Sequence, residues 1–200
     1  IIKKGYSAKN IADILNAGIQ TPVKVIINST RTTEQIAASI SSQLMLDSAT
    51  IASKLNDMDY LKSKGFDKDN VFYLIIPNTY EFYWNVSIDG FIERIIKERD
   101  AFWNESRKEK AAKIGLSPEE VMTLASIIEE ETAKNDELPI VAGLYINRLK
   151  RGMLLQADPT VIYALGGERP KRVLKKHLET DSPYNTYKYA GLPPAPIRFV

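Results

Sequence analysis

Ser117-Pro118-Glu119-Glu120-Val121-Met122-Thr123-Leu124-Ala125-Ser126-Ile127-Ile128-Glu129-Glu130-Glu131 carries the strongest local signal in the chain. Ser117 is an N-cap with Pro118 in the first helical position, and Glu119 and Glu120 make the first turn acidic. Glu120 completes a capping box with Ser117, so that two otherwise unpaired backbone N–H groups are satisfied reciprocally. The pattern predicts a helix running to about Lys134. At about 100° per residue, Val121, Leu124, Ala125 and Ile128 form one apolar stripe. Glu130 then falls opposite the stripe and Glu129 on a flank, and both read as solvated. Glu131, in the i+3 position from Ile128 and i+7 from Leu124, turns toward the buried side. It alone is expected to be partly desolvated, which is the setting of a carboxyl that works as a general acid near neutral pH.

Upstream, Ile1 to Gly5 reads as strand. Ser7 to Leu15 has helical spacing with Ser7 as N-cap and Gly18 just past its end. Val23 to Ile27 is a β-branched strand, and Thr30 to Leu44 returns to the helical period through Ile36, Ile40 and Leu44. Ser48 to Leu61 is a further helix. Gly65 to Tyr83 reads as a loop, broken by Pro77 and packed down by its aromatics. Ile88 to Lys113 is the longest helical pattern, with Phe91, Ile95, Ile96, Phe102 and Trp103 on its apolar side. Tyr6, Trp84 and Trp103 read as core or interface.

Composition narrows the chemistry. The 200 residues are 44% hydrophobic and 26% charged, which is globular composition, enough for one ordinary domain or two small ones. The net charge of +2 is too mild for a nucleic-acid footprint. With no Cys and a single His, His177, there are no disulfides or thiolate sites and few routes to zinc or a Ser-His pair. Neither a metal nor a cofactor is expected, which leaves the chemistry to carboxylates, hydroxyls, amides or Lys. No run approaches the roughly 20 apolar residues of a membrane span. The start without Met and the open, strand-like end at Ile197 to Val200 suggest a fragment.

Past the acidic helix, Asn147 stands i+3 from Leu144 and i+7 from Ile140, on an apolar face where its amide is either a site contact or a buried structural partner. Asp158-Pro159-Thr160 reads as N-cap, first helical Pro and helix start, with the helix ending near Gly166-Gly167. Tyr184, Asn185 and Thr186 follow Pro183 in a loop, where a tyrosine either stacks on a ligand face or pins the loop. Lys171, Arg172, Lys175 and Lys176 beside His177 form a basic cluster that reads as a solvated helix face, with the carboxylates of stem peptides as the alternative.

Four ordered blocks of this chain resemble the YceG-like (MltG) family of endolytic murein transglycosylases. They are Leu124 to Thr132, Gly143 to Leu149, Gly152 to Tyr163, and Ser182 to Tyr187 with Gly191-Leu192-Pro193-Pro194. The likeness is close from about Ser117 to Ile197. Earlier, Ile76-Pro77-Asn78-Thr79-Tyr80 resembles a family element in which Asp is usual at the Asn78 position; Ala195 stands where Gly is frequent.

The resemblance implies an α+β architecture. Residues 1–85 would form a small LysM-like subdomain with a connecting segment, and residues 86–200 a mostly helical catalytic domain with short strands, truncated at its C-terminal end. It implies cleavage of the β-1,4 bond between N-acetylmuramic acid and N-acetylglucosamine within peptidoglycan, leaving a 1,6-anhydro end. The catalytic Glu, directly before Thr, maps to Glu131, the residue the helical spacing also selects. One Glu can donate a proton to the glycosidic oxygen and then accept one from the muramoyl 6-hydroxyl, so no second carboxylate is required. Asn147, Gln156, Asp158, Thr160, Tyr184, Asn185 and Thr186 would contact substrate. The implied setting is the bacterial inner membrane, single-pass through an anchor outside this sequence, with the catalytic part facing the cell wall and wall-synthesis enzymes as partners. The alternatives are a peptidoglycan-binding or scaffolding module without turnover, and a hydrolytic muramidase with Asp158 as second carboxylate.

Overall fold

Val23–Ile27 forms strand β1 and pairs antiparallel with β2, Asn78–Phe82, with Val23 opposite Phe82, Val25 opposite Tyr80 and Ile27 opposite Asn78. Val25, Ile27, Tyr80 and Phe82 are buried while Lys24 and Glu81 face solvent, the alternation a half-buried pair requires. β2 lies inside the stretch read as loop. Pro77 stands just before it, a position where a missing N–H costs the ladder nothing. Of the remaining aromatics of that stretch, Phe66, Phe72 and Tyr73 are buried as expected, whereas Tyr83 is 53% exposed.

The computed structural model describes all residues except 1, 3, 19, 69, 167–169 and 171. Ile1 and Lys3 of the expected first strand, Gly167 of the expected helix end, and Lys171 of the basic cluster lie outside the described residues. Lys4 and Gly5 form a turn, not strand. Helix α1 (Ala8–Asn16) starts at Ser7, whose hydroxyl accepts the Asn10 N–H at 3.2 Å. α2 (Thr33–Ser41) is shorter than its sequence pattern because Thr32, in extended conformation, caps it.

Two expected helices are each divided. Ser48 to Leu61 becomes α3 (Ser48–Asn56) and α4 (Met58–Ser63), separated by Asp57, whose carboxylate accepts the Tyr60 N–H at 2.9 Å. Ile88 to Lys113 becomes α5 (Ile88–Phe102) and α6 (Glu105–Ile114), with Asn104 capping the second through the Arg107 N–H at 3.1 Å. In both, an Asx side chain mid-pattern offers the backbone a cap that competes with helix continuation.

α7 (Pro118–Glu131), α8 (Leu138–Lys150), α9 (Asp158–Ala164) and α10 (Lys175–Leu178) complete the fold. Among the described residues it is mostly helical with two short antiparallel strands, an α+β arrangement. One core cluster joins β1, β2 and α2 to α5 through residues such as Ile36, Ile51, Phe66 and Phe91; a second gathers Leu124, Ile127, Ile128, Tyr145, Leu155 and Ala157. α7 serves both, with Met122 in the first. The C-terminal segment does likewise, Ala195 and Phe199 entering the first cluster and Ile197 the second. Burying a ring such as Phe199 fully is worth about 1.5–3 kcal/mol. The segment is also laced by hydrogen bonds, Ile197 N–H to Ser126 Oγ at 3.0 Å and Phe199 N–H to the Thr30 carbonyl at 2.9 Å. Among the described residues, no helix is long and apolar enough to cross a membrane.

Candidate active site

The capping box of α7 forms as the sequence indicates, with Ser117 N–H on Glu120 Oε2 at 2.7 Å and Glu120 N–H on Ser117 Oγ at 3.2 Å. The helix ends at Glu131, and Thr132 is extended. Its buried face is not the sequence stripe. Met122, Thr123, Leu124, Ser126, Ile127 and Ile128 are buried, whereas Val121 and Ala125 are half-buried. The cause lies in two hydroxyls. Thr123 Oγ1 donates to the Glu119 carbonyl at 2.9 Å and Ser126 Oγ to the Thr123 carbonyl at 2.7 Å, so these small polar residues enter the core already satisfied.

This rotation reverses the expected roles of the acids. The Glu130 side chain is 5% exposed, while Glu131 is exposed. Glu130 Oε1 accepts from Arg31 Nε and Arg198 Nη1, each at 2.8 Å, and Oε2 accepts from Arg31 Nη2. Glu129 stays at the surface, where it accepts from Ser29 Oγ at 2.8 Å and meets Arg198 Nε at 3.3 Å.

Glu131, though exposed, is held. Tyr145 of α8 donates its phenolic hydrogen to Glu131 Oε1 at 2.6 Å, a charge-assisted length. Burial first, and then the Glu131 carboxylate, push the Tyr145 phenol well above the usual range, so it remains a donor at physiological pH. Arg148, one turn further along α8, donates to the Leu155 carbonyl, and its charge acts on both Tyr145 and Tyr187. Tyr187 donates to Asp158 Oδ1 at 2.6 Å. Its phenol is pushed up to about 12 by burial, then by Asp158 and by the charge of Glu131. Glu131, Tyr145, Arg148, Asp158 and Tyr187 thus share one electrostatic neighbourhood. Tyr145 and Arg148 stand i to i+3 on α8, a spacing that puts them on one helix face but that local periodicity does not distinguish from ordinary packing.

The remaining candidates divide by what they touch. Asp158 is not the cap of α9: Ala157 is, without a side-chain bond, and Asp158 occupies the first helical position with its carboxylate turned to Tyr187. Gln156 is the single non-glycine at positive φ among the described residues, at 54°. Its side chain is exposed and its N–H donates to the Thr186 carbonyl at 3.0 Å. Thr160 and Thr186 are buried with their hydroxyls 2.8 Å apart, and Thr186 Oγ1 accepts the Ala157 N–H at 3.0 Å. Asn185 is buried as well, its Nδ2 donating to the Leu178 and Thr180 carbonyls at 2.9 and 2.7 Å. The two threonines bind the Gln156–Asp158 segment to the Tyr184–Tyr187 loop, and Asn185 ties that loop to residues 178–180. Tyr184 is half-buried and packs on Tyr163 with ring centroids 4.7 Å apart.

Asn147 departs from expectation. Ile140 and Leu144 are 73% and 50% exposed, so the apolar face of α8 on which it stands points outward, and Asn147 is exposed. The helix is held instead by Tyr145 and by its half-buried neighbours Val141 and Leu149. Tyr6 and Trp84 are likewise exposed rather than core, Trp84 at 55%. Arg172, Lys175 and Lys176 are exposed, in line with a solvated face.

Residues 1–200 match the YceG-like family. The chain is similar to the endolytic murein transglycosylase of Bacillus subtilis (strain 168), 36% identical over 178 residues, which is 82% of this chain and 49% of that protein. It is similar to the endolytic murein transglycosylase of Streptococcus pneumoniae (strain R6), 32% identical over 130 residues, which is 62% of this chain and 23% of that protein. The chain therefore spans about half or less of the length of these relatives. Among solved structures, a YceG-like protein of Listeria monocytogenes, lmo1499, superposes with a TM-score of 0.72 at 31% identity, covering 98% of this chain and 69% of that one.

Proposed function

Because this chain belongs to the YceG-like family, we propose that it is the glycan-cleaving part of a peptidoglycan lytic transglycosylase, with Glu131 as the single proton carrier. It cleaves the β-1,4 bond between N-acetylmuramic acid and N-acetylglucosamine inside glycan strands. One Glu131 oxygen protonates the leaving oxygen; the carboxylate then takes the proton of the muramoyl 6-hydroxyl as that hydroxyl closes on the anomeric carbon, giving the 1,6-anhydro end. The observation that supports this reading is the Tyr145–Glu131 hydrogen bond of 2.6 Å. It ties down Oε1 and leaves Oε2 of an exposed carboxylate open to a sugar. Arg148 and the Tyr187–Asp158 pair supply fixed donors and charge beside it. Gln156, presented at an unusual backbone angle, is the substrate contact nearest in sequence to that pair, and Asn147 meets the strand further out on α8.

In this reading residues 1–85 are a LysM-like subdomain with its connecting segment and residues 86–200 the catalytic domain. The enzyme is anchored in the membrane and faces the cell wall, where wall-synthesis enzymes are its partners. Glu131→Gln tests the assignment: incubated with purified glycan strands, it is expected to yield no anhydro-ended products by mass spectrometry while retaining its fold. Anhydro products from that variant overturn the role of Glu131, and reducing ends from the unaltered chain would replace the transglycosylase by a muramidase.

A further inference from the structure

A cavity of about 840 Å³ lies on the other side of the Glu131 neighbourhood, walled by Phe72, Tyr163 and Tyr184. The two sites share the same short stretches of chain. Glu131 faces Tyr145 while Glu130 lines the cavity; Asp158 faces Tyr187 while Pro159 lines it; and Tyr184, three residues before Tyr187, forms its aromatic wall. Whatever fills it therefore sits across these short stretches of chain from a strand bound at Glu131.

Two of the carboxamides at the cavity, Gln35 and Asn70, indicate what that occupant offers. Gln35 Oε1 accepts the Arg31 N–H at 3.0 Å, Asn70 Oδ1 accepts the Phe72 N–H at 2.8 Å, and Asn56 Oδ1 accepts from Thr33 Oγ1 at 3.0 Å. Backbone N–H groups can only be met by the amide oxygens, which fixes the orientation of Gln35 and Asn70. The NH₂ groups of Gln35 and Asn70 have no partner among the described residues, whereas the Asn56 side chain also hydrogen-bonds the Glu34 carboxylate. The charged groups at the walls are Arg31, 36% exposed, with Glu34 at the rim and Glu130 shared between Arg31 and Arg198. Amide donors and a partly free guanidinium select a chain of carbonyl and carboxylate acceptors, and the apolar rings suit short aliphatic side chains.

We propose that this cavity binds the stem peptide carried by the muramoyl residue beside the cleaved bond, so that cleavage depends on strands that still bear peptide. This rests on the transglycosylase reading above and replaces the exposed basic residues Arg172, Lys175 and Lys176 as the peptide-contacting element.

Calorimetry on the Glu131→Gln protein tests it with two soluble probes, a GlcNAc–MurNAc disaccharide carrying its stem peptide and the same disaccharide stripped of peptide. The peptide-bearing probe is expected to bind at least about tenfold more tightly. The double exchange Gln35→Glu with Asn70→Asp keeps both acceptor oxygens for the backbone and removes the donors, and is expected to bring the affinity ratio toward one. If thermal melts show that double variant unfolded, Ala164→Trp, which fills the cavity from α9, is read the same way. Equal affinity for the two probes in the parent, or an unchanged ratio in a folded cavity variant, overturns the proposal. Because the probes are too short to be cleaved internally, this outcome is independent of the product assay that tests Glu131.

Discussion

Arg198 Nη1 and Glu130 Oε1 meet at 2.8 Å with side chains only 18% and 5% exposed, joining the C-terminal segment to the last turn of α7. Arg31, from the loop between β1 and α2, closes on the same carboxylate. One buried acid thus fastens three distant parts of the chain directly beside Glu131. Glu130→Ala leaves two guanidinium groups facing a carboxylate that is gone, and breaking a buried pair from one side costs about 3–5 kcal/mol. Urea unfolding is expected to show a loss of that size, and Glu129→Ala, at the surface, less than about 1 kcal/mol. Equal small losses in both would show that Glu130 bears no structural charge.

Among the described residues, the Tyr145 hydroxyl is the one donor to the Glu131 carboxylate. Tyr145→Phe keeps the buried ring and removes the donor. A carboxyl freed from this restraint is no longer held in position for proton transfer, so kcat on glycan strands is expected to fall about 10- to 100-fold with KM little changed, and the melting temperature to fall with the lost bond of about 1.5–3 kcal/mol. A variant with full kcat would mean that Glu131 needs no such restraint.

Much of this was legible locally. Ser7 and Ser117 announced their helices because a cap is a short-range hydrogen bond, and β1 was legible because four of its five residues are β-branched and leave few alternatives. The burial expected of Glu131 falls on Glu130 instead: helical spacing counts Thr123 and Ser126 as polar, whereas their hydroxyls bond their own helix and admit them to the core. That turned Glu130 inward toward Arg31 and Arg198, partners 99 and 68 residues away that no local period can reveal. Tyr145 and Tyr187 were hidden for the same reason, since a buried phenol is recognised by the carboxylate across from it and not by its neighbours in sequence.

Gln156 holds φ at 54° without a glycine's freedom. The left-handed region costs an ordinary residue about 1–2 kcal/mol, against a glycine entropy penalty of about 0.5–1 kcal/mol. Gln156→Gly is therefore expected to raise stability by up to about 1 kcal/mol in thermal melts while weakening glycan binding through loss of the amide. Gln156→Val, β-branched at the same angle, is expected to lower the melting temperature. If glycine stabilises and leaves binding untouched, the angle serves the loop alone and Gln156 does not meet substrate.

Alkaline pH reads the buried phenols together. Tyr80, Tyr184 and Tyr187 are each pushed up to about 12, chiefly by burial, and Tyr145 is raised as well by burial and by Glu131. In the unfolded chain the same groups ionise near 10. The folded state therefore holds their protons more tightly, and the stability this contributes is fully present below about pH 10 and is lost as pH rises through about 12. Of the 10 tyrosines, these four and Tyr60, which burial and then Asp89 also push up to about 12, are expected to form a late class in a tyrosinate absorbance titration, ionising together with the loss of circular dichroism. Phenylalanine at 80 and 184 removes two of these proton-linked groups and is expected to make the alkaline fall in stability shallower. A single titration step near pH 10 with the fold intact would show instead that these rings are open to water, and Tyr145 could then no longer be counted as a fixed donor to Glu131.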